Sequence, residues 1–258
     1  MRIVGCLSWF DESPAWLAAS VASAGRFCDH LVAVDGAYAL FPGAEPRSAS
    51  DQHEAIRETS FGLGMGLTIH APREVWWGNE IEKRNRLLAL ALLEAEPEVD
   101  WLYIFDADTV ARIVPADLRD LLAAAEEYAV AGVSLVEIYD LQEWPDIVRE
   151  HDFPARSTTP MHRMFYRALP GLRVRGAHWH YIAGEGEEER VLWGSAAVPH
   201  EEALDLSCVK VEHRSNKRDL GRRRRALGYY AQRDAMQIEK LGATLMEGTD
   251  GELHEVGA

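Results

Sequence analysis

Trp101-Leu102-Tyr103-Ile104-Phe105-Asp106-Ala107-Asp108-Thr109 is the stretch whose reading decides the fold. Five consecutive apolar or aromatic residues read as a strand buried on both faces, as in a parallel sheet covered by helices. The strand runs into two carboxylates spaced i, i+2, and alternation puts Asp106 and Asp108 on one side of an extended chain. Like charges so placed repel unless a cation sits between them. A hard divalent ion with oxygen ligands, Mg²⁺ or Mn²⁺, suits that arrangement. The same residues also fit an Asp-rich turn that simply ends a strand.

Upstream, residues 2–8 are an apolar run that reads as the first strand. A helix follows, with Ser13 as N-cap, Pro14 in the first position and Gly25 at the end. His30-Leu31-Val32-Ala33-Val34-Asp35-Gly36 is a second strand ending in an acid and a glycine. Together these make a parallel βαβ unit. Ligands of open α/β sheets bind at the carboxyl ends of strands, so Ser8, Asp35 and the Asp106/Asp108 pair are expected along one edge. Residues 38–50 read as a surface loop, 51–64 as a helix and 67–70 as a short strand. In the next helix, 80–95, Ile81, Arg84, Leu88 and Leu92 share one face. A guanidinium on an apolar stripe needs a carboxylate or phosphate partner, or else snorkels out at the helix end.

Downstream, the pattern predicts a helix over 115–128 and a strand over 130–138. Residues 139–160, rich in acids and prolines, read as a mobile active-site loop. Short strands and turns are expected over 161–181, and Gly184-Glu185-Gly186-Glu187-Glu188-Glu189 as a solvated acidic loop. A late strand spans 207–213. A C-terminal helix over 217–241 carries Arg222-Arg223-Arg224-Arg225 in its first half, where cations oppose the helix dipole. That segment reads as a solvated basic face or as a phosphate contact. The expected organisation is one domain over 1–245, with a nucleotide-binding half (1–112), an acceptor-binding half and C-terminal helix (113–245), and a flexible tail from 246.

The chain has 258 residues, 47% of them hydrophobic, enough for a large core. No stretch approaches the roughly 20 apolar residues that span a bilayer, and the N-terminal run is too short for a signal peptide. Three scattered cysteines suit a reducing cytosol and lack zinc spacing. A net charge of −15 argues against a general nucleic-acid surface.

The order of motifs resembles the GT-A nucleotide-sugar glycosyltransferases, especially the family-two type. The matching pieces are Ser8-Trp9-Phe10-Asp11-Glu12, Val34-Asp35-Gly36, Lys83-Arg84-Asn85 and Phe105-Asp106-Ala107-Asp108. The resemblance covers residues 2 to 112. It implies a Rossmann-like, mixed, mostly parallel α/β sheet flanked by helices in a single domain. It also implies a metal-dependent, hexosyltransferase-like enzyme of the cytoplasm that uses a UDP- or GDP-sugar with Mn²⁺ or Mg²⁺. Asp35 would accept hydrogen bonds from the base or ribose, and Arg84 would brace the nucleotide or Asp35. Ser8, Asp106 and Ala107 would line the donor, with Asp106 near the ribose. Asp108 would hold the metal, aided by Asp106 and a late histidine, with His213 the best match and His178, His180 and His200 its rivals. Arg163-Met164-Phe165-Tyr166-Arg167 followed by Arg175-Gly176-Ala177-His178 is similar to the family's acceptor region. Glu137 and Asp140 are placed for the base of an inverting member.

Departures narrow the resemblance. The usual Asn-Glu turn is Asp11-Glu12 here, and the Gln-x-x-Arg-Trp-type motif of processive polymer synthases is missing from the sequence. Two other catalytic readings compete. A haloacid-dehalogenase-type phosphatase would use Asp106-x-Asp108 with Asp106 as nucleophile, but that motif usually opens its fold. A nucleotidyltransferase would carry a glycine-rich basic loop after the first strand. A non-catalytic sugar-nucleotide-binding module is the reading from another class. The acceptor is open among a saccharide, a small molecule, a protein side chain and, as a minority view, a modified base in DNA. Trp76, Trp77, Trp144, Trp179 and Trp193 are the aromatics available to stack on it.

Overall fold

The computed structural model describes residues 1–39, 41, 45–77, 79–138, 156–176, 180–194 and 202–213. In chain order the elements are β1 (Ile3–Ser8), α1 (Pro14–Ala24), β2 (His30–Val34), α2 (Ser50–Gly62), β3 (Gly66–His70), α3 (Asn79–Glu94), β4 (Trp101–Asp106), β5 (Thr109–Ile113), α4 (Leu118–Ala124), β6 (Val130–Ile138), β7 (Arg156–Arg167), β8 (Arg173–Val174), β9 (Tyr181–Ala183), a 3-10 turn (Gly186–Glu188), β10 (Arg190–Trp193) and β11 (Ala203–His213). Eight strands make one sheet in the order β3-β2-β1-β4-β7-β6-β11-β5, and β10-β9-β8 make a second, small one. The β1–β2, β2–β3, β1–β4 and β6–β11 pairs are parallel. The β4–β7, β6–β7 and β5–β11 pairs are antiparallel. This is the mixed, mostly parallel α/β sheet flanked by helices that the sequence leads one to expect. Among the described residues no helix is long and apolar enough to cross a membrane.

Strand alternation divides the core into two layers. Trp101, Tyr103 and Phe105 of β4 pack with Leu17 and Val21 of α1, Ile56 of α2 and Leu122 of α4. Leu102 and Ile104 face the other way, onto Leu87, Leu88 and Ala91 of α3 and the small sheet. Residues 101–105 are all buried, which is why the run shows no polar alternation. The chain goes out from β1 through β2 to β3, then returns over α3 to place β4 on β1's other side. The carboxyl ends of β1 and β4 therefore flank a topological switch point.

Several boundaries differ from expectation. β5 lies where no strand was expected. Thr109, Val110 and Ala111 are buried while Arg112 and Ile113 are exposed, a pattern matching neither period. The helix expected over 115–128 is only α4, because Arg167 of β7 donates to the carbonyls of Ala125 and Tyr128 and holds that segment in a turn. Residues 156–160, expected in a loop, open β7. Pro160 is accommodated at a register shift beside Met161 (φ 56°), packed against Gly132, where a Cβ would lie 2.9 Å from the Met161 backbone. The acidic loop is not wholly solvated, since Glu189 accepts from Arg173 (2.6 Å) and pairs with Arg175 (2.7 Å). Most of the 139–160 loop, with Asp140 and Trp144, lies outside the described residues. So do His178, Trp179, His200, residues 217–241, where a helix with an arginine run is expected, and the residues from 246 on.

Candidate functional site

The acidic turn is built from beneath. β4 ends at Asp106, Ala107 and Asp108 form a turn, and β5 starts at Thr109. Thr109 Oγ1 donates to the Asp106 carbonyl (2.8 Å). Ser20 Oγ on α1 lies 2.6 Å from the Thr109 carbonyl and 3.2 Å from that of Asp106. The two carboxylates consequently do not sit side by side on an extended strand. The Asp106 side chain is half exposed and pairs with Arg84, while that of Asp108 is buried and turns to His213. Each like charge has its own cation, which removes the repulsion that alternation alone would create.

Three consecutive residues of α3 reach three different elements, because successive helical side chains diverge by about 100°. Lys83, 2% exposed, donates from Nζ to the carbonyls of Trp9 (2.6 Å) and Gly36 (2.8 Å), tying together the segments after β1 and β2. Arg84 Nη2 meets Asp106 Oδ1 at 3.3 Å. Asn85 exchanges two hydrogen bonds with the Val174 backbone of β8, at 2.7 and 3.1 Å, and so holds the small sheet in place. The puzzling guanidinium of the apolar stripe thus has a carboxylate partner, and that partner is Asp106 rather than Asp35.

Asp35 is turned inward and is 0% exposed. It accepts from the Gly36 amide (2.6 Å), the Ser48 amide (2.8 Å) and the Ser48 hydroxyl (2.6 Å), and it faces His53 Nε2 at 2.8 Å. Burial works against its ionisation, yet the hydrogen bonds from His53 and Ser48 and the charge of Lys83 prevail and lower its pKa. In this structure the carboxylate meets Gly36, Ser48 and His53 of its own chain. Gly36 follows at φ +115°, where a Cβ would lie 2.5 Å from Pro72 Cγ and 2.7 Å from Trp76 Nε1. Ser8, half-buried, is the register partner of Asp106 across β1 and β4.

His213 stands at the end of β11, in register with Glu137 of β6 on one side and Thr109 of β5 on the other. That register carries its ring between two acids, with Nε2 3.4 Å from Asp108 Oδ1 and Nδ1 3.7 Å from Glu137 Oε1. Burial alone would favour a neutral ring, but the contacts with Asp108 and Glu137 and the further charge of Asp106 push its pKa up to about 10. The site therefore draws positive charge. Carboxylate oxygens suit Mn²⁺ or Mg²⁺, whereas an imidazole is the commoner ligand of ions such as Zn²⁺. Among the described residues, however, no three such side chains converge as a metal-holding group, and His213 must give up a proton before it can ligate an ion.

Asp106, Glu137 and His213 line a cleft of about 220 Å³ together with Arg84, His162, Arg163, Tyr181 and Trp193. Lys83, His162 and the Ser20 brace escape a sequence reading. Lys83 lies inside a recognisable trio, but nothing in its spacing distinguishes a buried lysine from a solvated one. His180 is not among the residues lining the cleft.

No family model matches the sequence, and no curated protein matches it. Among solved structures, the chain is similar to the crystal structure of S. aureus TarS, with a TM-score of 0.34 and 16% identity over 54% of this chain. The chain spans 22% of that structure's length. A likeness so distant fixes no activity, and the function has to be argued from the site.

Proposed function

We propose that the protein is a metal-dependent glycosyltransferase that moves a sugar from a nucleoside-diphosphate sugar, a UDP- or GDP-sugar, to an acceptor hydroxyl. The observation that carries this reading is the paired arrangement at the carboxyl ends of β1 and β4, with Asp106 held by Arg84 and Asp108 by His213. Departure of a nucleoside diphosphate leaves growing negative charge, which such a site must offset. Asp108 and His213 are the residues that would hold the ion, and Asp106, which pairs with Arg84 in this structure, would have to turn toward them to join. A bound Mn²⁺ or Mg²⁺ supplies charge neutralisation for the departing diphosphate.

The chain's own residues do the remainder. Arg84 keeps Asp106 oriented toward the donor, and Ser8 and Ala107 form the adjoining edge. Asp35 and Lys83 hold the segments after β1 and β2 in position. Glu137 lines the cleft and would take the acceptor hydroxyl's proton as that oxygen attacks the anomeric carbon. Asp140 is the other carboxylate proposed for this step from the sequence.

Calorimetric titration with UDP and GDP in Mn²⁺ tests the reading. One of them binds the wild-type protein, and Asp108→Ala loses at least tenfold in affinity. Equal affinity in the variant overturns the metal-bridging role, and release of phosphate from an aryl phosphate would favour the phosphatase reading instead.

A further inference from the structure

The two edges of the large sheet are treated differently. At one end β5 has no strand beyond it, and α1 closes it. The Ala111 amide donates to Ser23 Oγ (3.0 Å), Ser20 Oγ donates to the Thr109 carbonyl (2.6 Å), and Arg26 donates to the carbonyls of Ala111 and Arg112, each at 3.2 Å. At the other end stands β3, paired to β2 alone. The Gly66 amide donates to the Asp29 carbonyl (3.0 Å), and the Asp35 amide donates to the His70 carbonyl (2.9 Å). Alternate residues of a parallel strand bond the same neighbour, so Gly66, Thr68 and His70 face β2 while Leu67 and Ile69 direct amide and carbonyl outward. Among the described residues no side chain or backbone group takes up those four groups. The strand also lacks the devices that blunt an edge. Gly66-Leu67-Thr68-Ile69-His70 holds no proline, lysine, arginine or acid, and its register with β2 has no bulge. Phe61, 64% exposed, and Leu63, 48% exposed, stand at the end of α2 and in the turn that leads into β3.

We propose that the outer edge of β3 is the interface for a second copy of this chain, the two β3 strands pairing antiparallel about a twofold axis at Thr68. In that register Leu67 of each copy stands opposite Ile69 of the other. Each such pair exchanges two backbone hydrogen bonds, so all four outward groups are satisfied. The same register matches the side chains. Leu67 and Ile69, half-buried against the layer that holds α1 and α2, meet as apolar cross-strand pairs on one face. On the other face Thr68 meets Thr68, and the missing side chain of Gly66 leaves room for His70. No charges are opposed, which matters for a chain of net charge −15, whose copies repel one another wherever acids face acids. An unrelated extended segment would use the backbone groups alone, whereas a second copy also matches the side chains. Because β1, β2, β3 and β4 are parallel, this pairing sends the carboxyl ends of β1 and β4 in the two copies to opposite ends of the joined sheet. The interface is therefore independent of the reaction performed at the candidate site.

Sedimentation velocity over a concentration series of the full chain tests this, with each variant checked for an unchanged far-UV circular dichroism spectrum. The wild-type protein sediments as a monomer–dimer equilibrium. Thr68→Lys sets two ammonium groups against each other at the twofold axis, where like charges are destabilising, while Glu94, the present partner of Thr68, can pair with each within its own copy. It weakens the dimer at least tenfold. Ile69→Pro removes an outward amide without touching the ladder to β2 and weakens the dimer as well. Thr68→Cys is made in a Cys208→Ser background, because Cys208 is the exposed native thiol. With oxidised glutathione it forms a disulfide between copies, since the Cα atoms of a non-hydrogen-bonded pair lie about 4.5 Å apart, within disulfide reach. The Cys208→Ser protein alone does not cross-link. A wild-type protein that stays monomeric throughout the series overturns the proposal. So does a dimer that Thr68→Lys and Ile69→Pro leave intact and that Thr68→Cys does not cross-link, since its interface then lies elsewhere.

Discussion

Replacing Lys83 with Met tests the claim that one buried ammonium holds the segments after β1 and β2 together. Met keeps the length and apolar stem of the side chain but donates nothing. Lys83 Nζ makes hydrogen bonds of 2.6 and 2.8 Å to the Trp9 and Gly36 carbonyls, and the side chain is 2% exposed. Hydrogen bonds to a charged group contribute about 1.5–3 kcal/mol each, so two represent roughly 3–6 kcal/mol. Met recovers part of this by sparing the desolvation of an ammonium, leaving a net loss of about 2–4 kcal/mol. At about 2–4 °C per kcal/mol for a domain of this size, Tm falls by roughly 5–15 °C. Urea denaturation followed by far-UV circular dichroism measures the first quantity, and a thermal melt measures the second. The two carbonyls belong to segments leaving β1 and β2, so nucleoside diphosphate affinity falls as well, even where the variant is fully folded. A stability loss under about 1 kcal/mol with unchanged nucleotide affinity would refute the clamp.

Two further perturbations address the same edge. Because the folded pKa of Asp35 is lowered from 3.8, its carboxylate contributes stability that is fully present above the ordinary carboxylate range and is lost as pH falls through the folded value. Wild-type urea midpoints therefore decline more steeply between pH 5 and pH 3 than those of Asp35→Asn, and parallel curves would contradict the assignment. Gly36→Ala introduces a Cβ at φ +115° against Pro72 and Trp76. Strain and overpacking together cost about 2–5 kcal/mol, which a calorimetric melt reads as a lower Tm, whereas an unchanged Tm would mean that the turn relaxes freely.

The Lys83-Arg84-Asn85 trio illustrates what could be read in advance and what could not. Its place on α3 and the need of Arg84 for an anion follow from periodicity and the cost of desolvating charge. Which anion answers depends on which strand end lies opposite, and β4 brings Asp106 there only because the chain crosses back over β1. Asp35 makes the same point in reverse. Its position at the end of β2 is legible in Val34-Asp35-Gly36, but its capture by Ser48 and His53 is a tertiary contact that no local period encodes.

The order of strands and helices through residue 106 and the buried character of β4 were determined by sequence alone. These are local matters, set by hydrophobic period, capping and turn chemistry acting within a few residues. The tertiary structure decided that the acidic pair splits, Asp106 toward Arg84 and Asp108 toward His213. It also decided that β5 and β11 carry His213 between Asp108 and Glu137, and that Trp193 lines the cleft from a separate sheet. Those partners lie tens to more than a hundred residues apart in the chain. Their meeting is set by strand register and sheet order, which no local period encodes.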